Sequence, residues 1–241
     1  MSRAKSWGRV ALLGAAFLMA QNLPAAALAS TFSVTPVRIH LSAGKQIGVV
    51  TLNNPNAVPV TIQASVRKWT QTSRGDEYVS TQAILIAPPM FTMAPHGEQI
   101  VRIALLPSAP AKDESAYRLF FQQLPTPTPS GFTGVNILLR IGIPIFVKPN
   151  QPAHAQLQWS ARRLSNASVL LKATNAGGKH VEVETLTVYQ GSTVLMRSMT
   201  PQYLLPGSSY TWTLSGRSTS SLRVRCATDQ GPFRAQVPVK Q

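Results

Sequence analysis

Cysteine is almost absent: Cys226 stands alone in 241 residues, which excludes any disulfide within the chain. A chain of this length must then be held by apolar cores alone. Within "SLRVRCATDQ" the thiol reads as a buried strand residue rather than a reactive one. Acids are scarce too. Asp76, Glu77, Glu98, Asp113, Glu114, Glu182, Glu184 and Asp229 face 23 lysines and arginines, for a net charge of +15. The four histidines, His40, His96, His154 and His180, lack metal-ligand spacing. Neither a G-x-S-x-G elbow nor a glycine-rich phosphate loop is present. Asp76-Glu77 and Asp113-Glu114 are adjacent pairs and Glu182 and Glu184 share a strand face, whereas glycoside hydrolysis needs two carboxylates facing across a cleft. Catalysis is disfavoured, and no catalytic residue, metal or cofactor is expected.

No apolar run reaches the roughly 18 residues of a membrane span. The one short run, Val10 to Ala20, follows the basic Arg3, Lys5 and Arg9 and precedes Ala27-Leu28-Ala29. That order is a secretory signal peptide over residues 1–29, cut after Ala29. Its removal leaves +12 on an exported chain that is not membrane-embedded. A basic balance favours acidic partners. Export argues against nucleic acid, and the cations are scattered through the chain rather than clustered with aromatics.

Strand patterns fill the remainder. "TFSVTPVRIHLSAG", "GVVTLNNPN", "VPVTIQASVRKWTQ", "YVSTQAILIAPPMFTMAPHG", "QIVRIALLP", "SAYRLFFQQLP" and "GVNILLRIGIPIFVKP" alternate with turn residues, while no long amphipathic helix is apparent. Seven such runs in about 120 residues read as an immunoglobulin-like sandwich. After Pro149, "NQPAHA" reads as a hinge, and a second β-rich stretch follows with turns at Gly177-Gly178 and Pro206-Gly207. The expected division is 30–149 and 150–241, an all-β chain of two sandwich domains. "PTPTPSG" at 125–131 reads as a loop between two strands. In residues 134–146 the odd positions Val135, Ile137, Leu139, Ile141, Ile143 and Ile145 are all aliphatic, an unusually long apolar strand face interrupted by Pro144.

Five ordered blocks, "VTPVRIHLSAG", "LNNPNAVPVTIQASVRKW", "APPMFTMAPHGEQIVRI", "ESAYRLFFQQLP" and "GVNILLRIGIPIFVKP", resemble the periplasmic chaperones of the chaperone–usher pilus pathway. "NAGGKHVEV" resembles that family's N-x-G-x-x-H strand pair in the second domain. The resemblance implies two immunoglobulin-like domains in an L shape, periplasmic location, and pilus subunits and an outer-membrane usher as partners. It also implies that the strand of about 134–146 is lent to a subunit lacking its last strand, with Val135, Ile137, Leu139 and Ile141 filling the subunit's groove. At about 1.5–3 kcal/mol per buried side chain, four contribute roughly 6–12 kcal/mol before ordering costs. Ile143 and Ile145 are assigned to the chaperone's own core. Arg38 matches the family's cleft arginine, which grips the subunit's C-terminal carboxylate through two parallel donors. The family lysine that assists it is replaced by Pro144, and Arg140, with Arg102 in reserve, is the expected substitute. Glu114 and Lys148 fall where the family places an interdomain salt bridge. A free apolar strand invites self-capping by dimerisation. The reading from a different class is a secreted β-sandwich adhesin or carbohydrate-binding protein; a periplasmic hydrolase lacks its catalytic pair.

Overall fold

The computed structural model describes residues 31–107, 111–125, 137–165, 168–215 and 221–240. The signal peptide, Val135 and most of the "PTPTPSG" loop lie outside them. Among the described residues there is no helix, and hence none long and apolar enough to cross a membrane.

The first ten strands are β1 (Ser33–Thr35), β2 (Ile39–Leu41), β3 (Ile47–Asn53), β4 (Val60–Thr72), β5 (Gly75–Ser80), β6 (Ile84–Ala87), β7 (Met90–Met93), β8 (Glu98–Leu105), β9 (Ser115–Gln123) and β10 (Arg140–Val147). They form two sheets, β1-β3-β8-β6 and β2-β10-β9-β4-β5, with β7 also paired to β4. Alternation decides which side chains meet between the sheets. In β8, Val101 and Ile103 point inward and Arg102 outward; in β9, Leu119 and Phe121 point inward. Val50, Leu52 and Ile62 complete a core closed to solvent.

The second sandwich follows with β11 (Leu157–Ser165), β12 (Ser168–Asn175), β13 (Val181–Gln190), β14 (Thr193–Ser198), β15 (Gln202–Leu204), β16 (Ser209–Ser215), β17 (Leu222–Thr228), β18 (Gly231–Val237) and β19 (Val239–Lys240). Its sheets run β16-β12-β11-β19 and β14-β13-β17-β18, with β15 also on β13. Leu171, Val188, Leu222 and Val224 fill its core, and Trp159 stacks on Trp212 at 5.7 Å. Cys226 is buried there, and burial pushes its thiol up to about 11, so it stays protonated and inert at neutral pH.

The long apolar strand divides into two parts. Ile143 and Ile145 are enclosed by their own sandwich, as the pattern implied. Ile141, expected with the donors, is partly buried against that same core, as Leu139 is, because their odd positions share the inward face of β10. Leu139 lies half-buried at the core margin, and Ile137, before the strand begins, is 52% exposed.

Pro144 does not break the ladder. Gln123 N–H donates to Leu139 O at 2.9 Å, so the odd residues of β10 turn their backbone groups toward β9 and the even ones away from it. The proline's missing N–H therefore faces the outer edge. On that edge β2 pairs in parallel with Ile145–Val147, and among the described residues the outward backbone groups of Leu138, Arg140 and Gly142 have no strand partner in the sheet.

The two sandwiches are joined by 148–156, which threads against the turn after β12. Gly178 N–H donates to His154 O at 3.0 Å, and Ala176 N–H to Gln156 O at 2.8 Å. A Cβ on Gly177 would stand 2.1 Å from His154 O and 2.6 Å from Gln156 N, backbone atoms that cannot swing aside. Gly177→Ala is expected to lower stability by about 1–3 kcal/mol or more in chemical denaturation, whereas Gly44→Ala stays within about 0.5 kcal/mol. The control is apt because a Cβ on Gly44 meets nothing within 4 Å.

Candidate functional site

Where the sandwiches meet, Trp69 of β4, Ala116 of β9 and Phe146 of β10 pack with Leu205 and Tyr203 of the second sandwich. These first-sandwich residues lie on the face of the sheet opposite the core, which explains why apolar side chains occur there. His180, just before β13, stacks on Phe146 with centroids 3.5 Å apart and planes inclined by 5°. Gln71 closes the contact as a side-chain imitation of a strand pair: its Nε2 donates to Tyr203 O and its Oε1 accepts from Leu205 N, both at 2.9 Å. Glu114 is buried at the same seam. Its N–H donates to Gly178 O at 2.8 Å, and its Oε1 accepts from His180 N at 3.0 Å and contacts His180 Nδ1.

From His180 a run of charges leads to the mouth of the cleft. His180 Nε2 lies 3.5 Å from Asp229 Oδ2, and Asp229 Oδ1 accepts from Glu182 N at 2.8 Å. Arg38, between β1 and β2, reaches across from the first sandwich. Its guanidinium pairs with Glu182, donates to Tyr203 Oη at 2.8 Å, and lies 3.6 Å from Asp229 Oδ2. Its side chain keeps 30% exposure, so it is at the mouth rather than sealed within. Arg118 of β9 lies over Trp69 at 4.0 Å and within 6.0 Å of the Tyr203 ring, which Arg38 also approaches at 5.5 Å. Two guanidinium groups thus approach the Tyr203 ring.

Burial alone would lower the His180 pKa, but the carboxylates of Asp229 and Glu114 beside the ring prevail and hold it above the usual value. For Asp229 burial acts in the opposite direction. The His180 contact and the Glu182 N–H outweigh it and bring the carboxyl down to about 2. His40 faces His180 at 6.3 Å, and burial, with the neighbouring His180 charge, holds its pKa below the usual value. Burial, then the Glu182 charge, pushes Tyr203 up to about 12, so it remains a neutral donor and acceptor.

Of the residues singled out from sequence, Arg38 and Glu114 reach this cleft. Arg140 does not stand beside Arg38 there: it begins β10 with its guanidinium 4.1 Å over Phe120, four residues, about 13 Å, along the strand from Pro144. The residue directly opposite Pro144 across the ladder is Arg118. Arg102 points outward from the other sheet. Among the described residues no ion pair joins Glu114 to Lys148 (the carboxylate is turned inward onto His180), although both line a hollow of about 270 Å³ at the hinge. Arg118, Tyr203, Glu182 and Asp229 were not assigned to a cleft from sequence. Only the N-x-G-x-x-H spacing pointed toward their neighbour His180.

The sequence pattern of the family described as "Pili and flagellar-assembly chaperone, PapD N-terminal domain" matches residues 31–153. No curated protein matches the chain. Among solved structures, the chain is similar to the CsuC–CsuE chaperone–tip adhesion subunit pre-assembly complex of archaic Csu pili from Acinetobacter baumannii. There it has a TM-score of 0.68 and 21% identity, over 88% of this chain and 100% of that one. It is also similar to the YadV chaperone, at 0.61 and 17%, over 85% and 98%. The SafA pilin–SafB chaperone complex from Salmonella enterica follows at 0.59 and 18%, over 86% and 96%. At these identities the likeness is one of fold: all-β, two domains.

A raised His180 pKa stabilises the folded chain below the ordinary value near 6.5 and loses that contribution as pH rises through the folded value. A lowered Asp229 pKa stabilises above the ordinary carboxyl value and loses its contribution as pH falls through about 2. Melting temperature is therefore expected to decline as pH rises above about 6.5. The decline disappears in His180→Gln, as calorimetry across pH 5 to 9 would show, the range being about that over which histidine titrates.

Proposed function

This chain belongs to the pili and flagellar-assembly chaperones, and from that membership we propose that it shelters pilus subunits by lending them a β-strand. The observation that carries the reading is the outer edge of β10. Along 137–144 no further strand pairs with this edge among the described residues, outward backbone groups stand open there at Leu138, Arg140 and Gly142, and the approach to the strand carries the exposed Ile137. An unfinished sandwich offers the complement: an unpaired edge and an apolar groove. Ile137 and Leu139, with Val135 before them, supply the aliphatic side chains, each adding about 1.5–3 kcal/mol if fully enclosed.

Register in the lent strand is set at the cleft. Arg38 takes the subunit's C-terminal carboxylate, and Arg118 replaces the missing lysine from the rung opposite Pro144. Two always-charged forks across Tyr203 suit a carboxylate better than a distant Arg140 would. In the free chain Glu182 already occupies Arg38, so the incoming carboxylate displaces an internal one. Residues 30–149 lend the strand and 150–241 frame the cleft. Residues 1–29 are removed on export to the periplasm, where the loaded chain passes its subunit to an outer-membrane usher.

Co-expression with a tagged candidate subunit, followed by affinity capture, tests the reading. Arg38→Ala and Arg118→Ala are each expected to reduce recovered chaperone about tenfold or more, the loss of one charged hydrogen bond. Arg140→Ala leaves recovery within about twofold, since an exposed cation–π contact contributes little. Glu182→Gln, by removing the competing charge, raises it. Unchanged recovery with Arg38→Ala contradicts the proposal.

A further inference from the structure

The sheet β14-β13-β17-β18 carries a feature that no single strand displays. Cross-strand register sets Arg197, Thr187, Arg225 and Arg234 abreast in one rung over four strands. On the next rung Arg223 lies opposite Tyr189, and the Arg223 and Arg225 guanidiniums approach its ring at 4.9 and 5.6 Å. All four arginines are exposed, because their neighbours Val224, Cys226 and Val188 take the inward positions. Val194, opposite Tyr189 and 45% exposed, adds an apolar spot to the same face.

Among the described residues none of these arginines is in an ion pair, and the only hydrogen bond of the four runs from Arg223 to Gly191 O. Acids are few in this half of the chain: Glu182, Glu184 and Asp229. Glu182 and Asp229 are drawn to Arg38 at the cleft. Like charges directly opposite one another, as Arg225 and Arg234 are, weaken a sheet. A folded protein that keeps three arginines abreast gives up stability there, which an external anion would restore.

We infer that this face docks the protein onto an anionic phospholipid surface. Strands are spaced about 4.8 Å apart, so the rung presents charge in a line over roughly 14 Å, open on every side, instead of a pocket for one phosphate. A layer of headgroups answers such an array, and tyrosine with a neighbouring aliphatic suits the boundary between headgroup and acyl chain. Thr187 lies five residues along β13 from Glu182, about 16 Å, so the docked face is separate from the cleft. The inference does not depend on strand donation.

Sedimentation with vesicles tests it, using the chain purified without its first 29 residues, which precede the described fold. Vesicles of phosphatidylcholine alone are compared with vesicles one-third phosphatidylglycerol, at about 0.05 M salt, where screening is weak. Binding to the anionic vesicles only is expected. The triple variant Arg197→Gln, Arg225→Gln, Arg234→Gln weakens it at least about tenfold, by the usual contribution of basic residues near such a surface. Its melting temperature does not fall. An equal loss of charge elsewhere, Lys45→Gln, Arg102→Gln, Lys172→Gln, leaves binding within about twofold. Equal weakening by the two triples would overturn the inference, as would no vesicle binding, or capture by soluble dextran sulfate without any by vesicles.

Discussion

A carboxylate from one sandwich, a histidine from the other, and a phenylalanine ring beneath them hold the two halves of this protein together. Glu114 and His180 are both removed from solvent, and each would be costly to bury alone. Together they satisfy one another, and the parallel stack on Phe146 fixes the orientation of the imidazole. With the halves held, Tyr203 sits against Trp69, Gln71 can pair with the backbone on either side of Leu204, and Arg38 meets Glu182. The cleft exists because that seam is closed.

The strand beside the seam has two separate duties on its two faces and two edges. Its odd side chains finish the first sandwich, while Phe146 on the even side contacts the second. Its inner edge is taken by β9, and among the described residues its outer edge is covered by β2 only near the end. Pro144 fits this division, because a residue without an N–H leaves the β9 ladder intact and forgoes only an outward donor. Gly142 fits too: a Cβ there would meet Phe120 at 2.9 Å, the ring on which Arg140 rests. Residues that look anomalous along the chain thus become sensible once the direction of each backbone group is known.

Much of this was legible in the sequence. The all-β class and the inward Ile143 and Ile145 follow from period-two patterns, and the resemblance to the family pointed to Arg38. What escaped was what cross-strand pairing decides. Arg38 and Glu182 are 144 residues apart, and no local spacing connects them. Arg118 reads as an ordinary alternating residue until the register with Pro144 places it. Arg140 shares the strand and face of Pro144, but four residues of extended chain, about 13 Å, separate the two. Family position pairs Lys148 with Glu114, whereas the buried carboxylate is turned onto His180. Arg197, Arg225 and Arg234 of the second sandwich, dispersed over 38 positions of sequence, form a rung only when folded.

Amide hydrogen exchange at Arg140 and Gly142 bears most directly on the loan of the strand, since those N–H groups face the open edge. In the free protein they should exchange quickly. With a subunit bound they should slow by about a hundredfold or more, as newly paired strand amides do, while inward-facing Ile141 and Ile143 change little. Unchanged exchange at Arg140 and Gly142, with protection arising on β3 and β8 instead, would contradict the account.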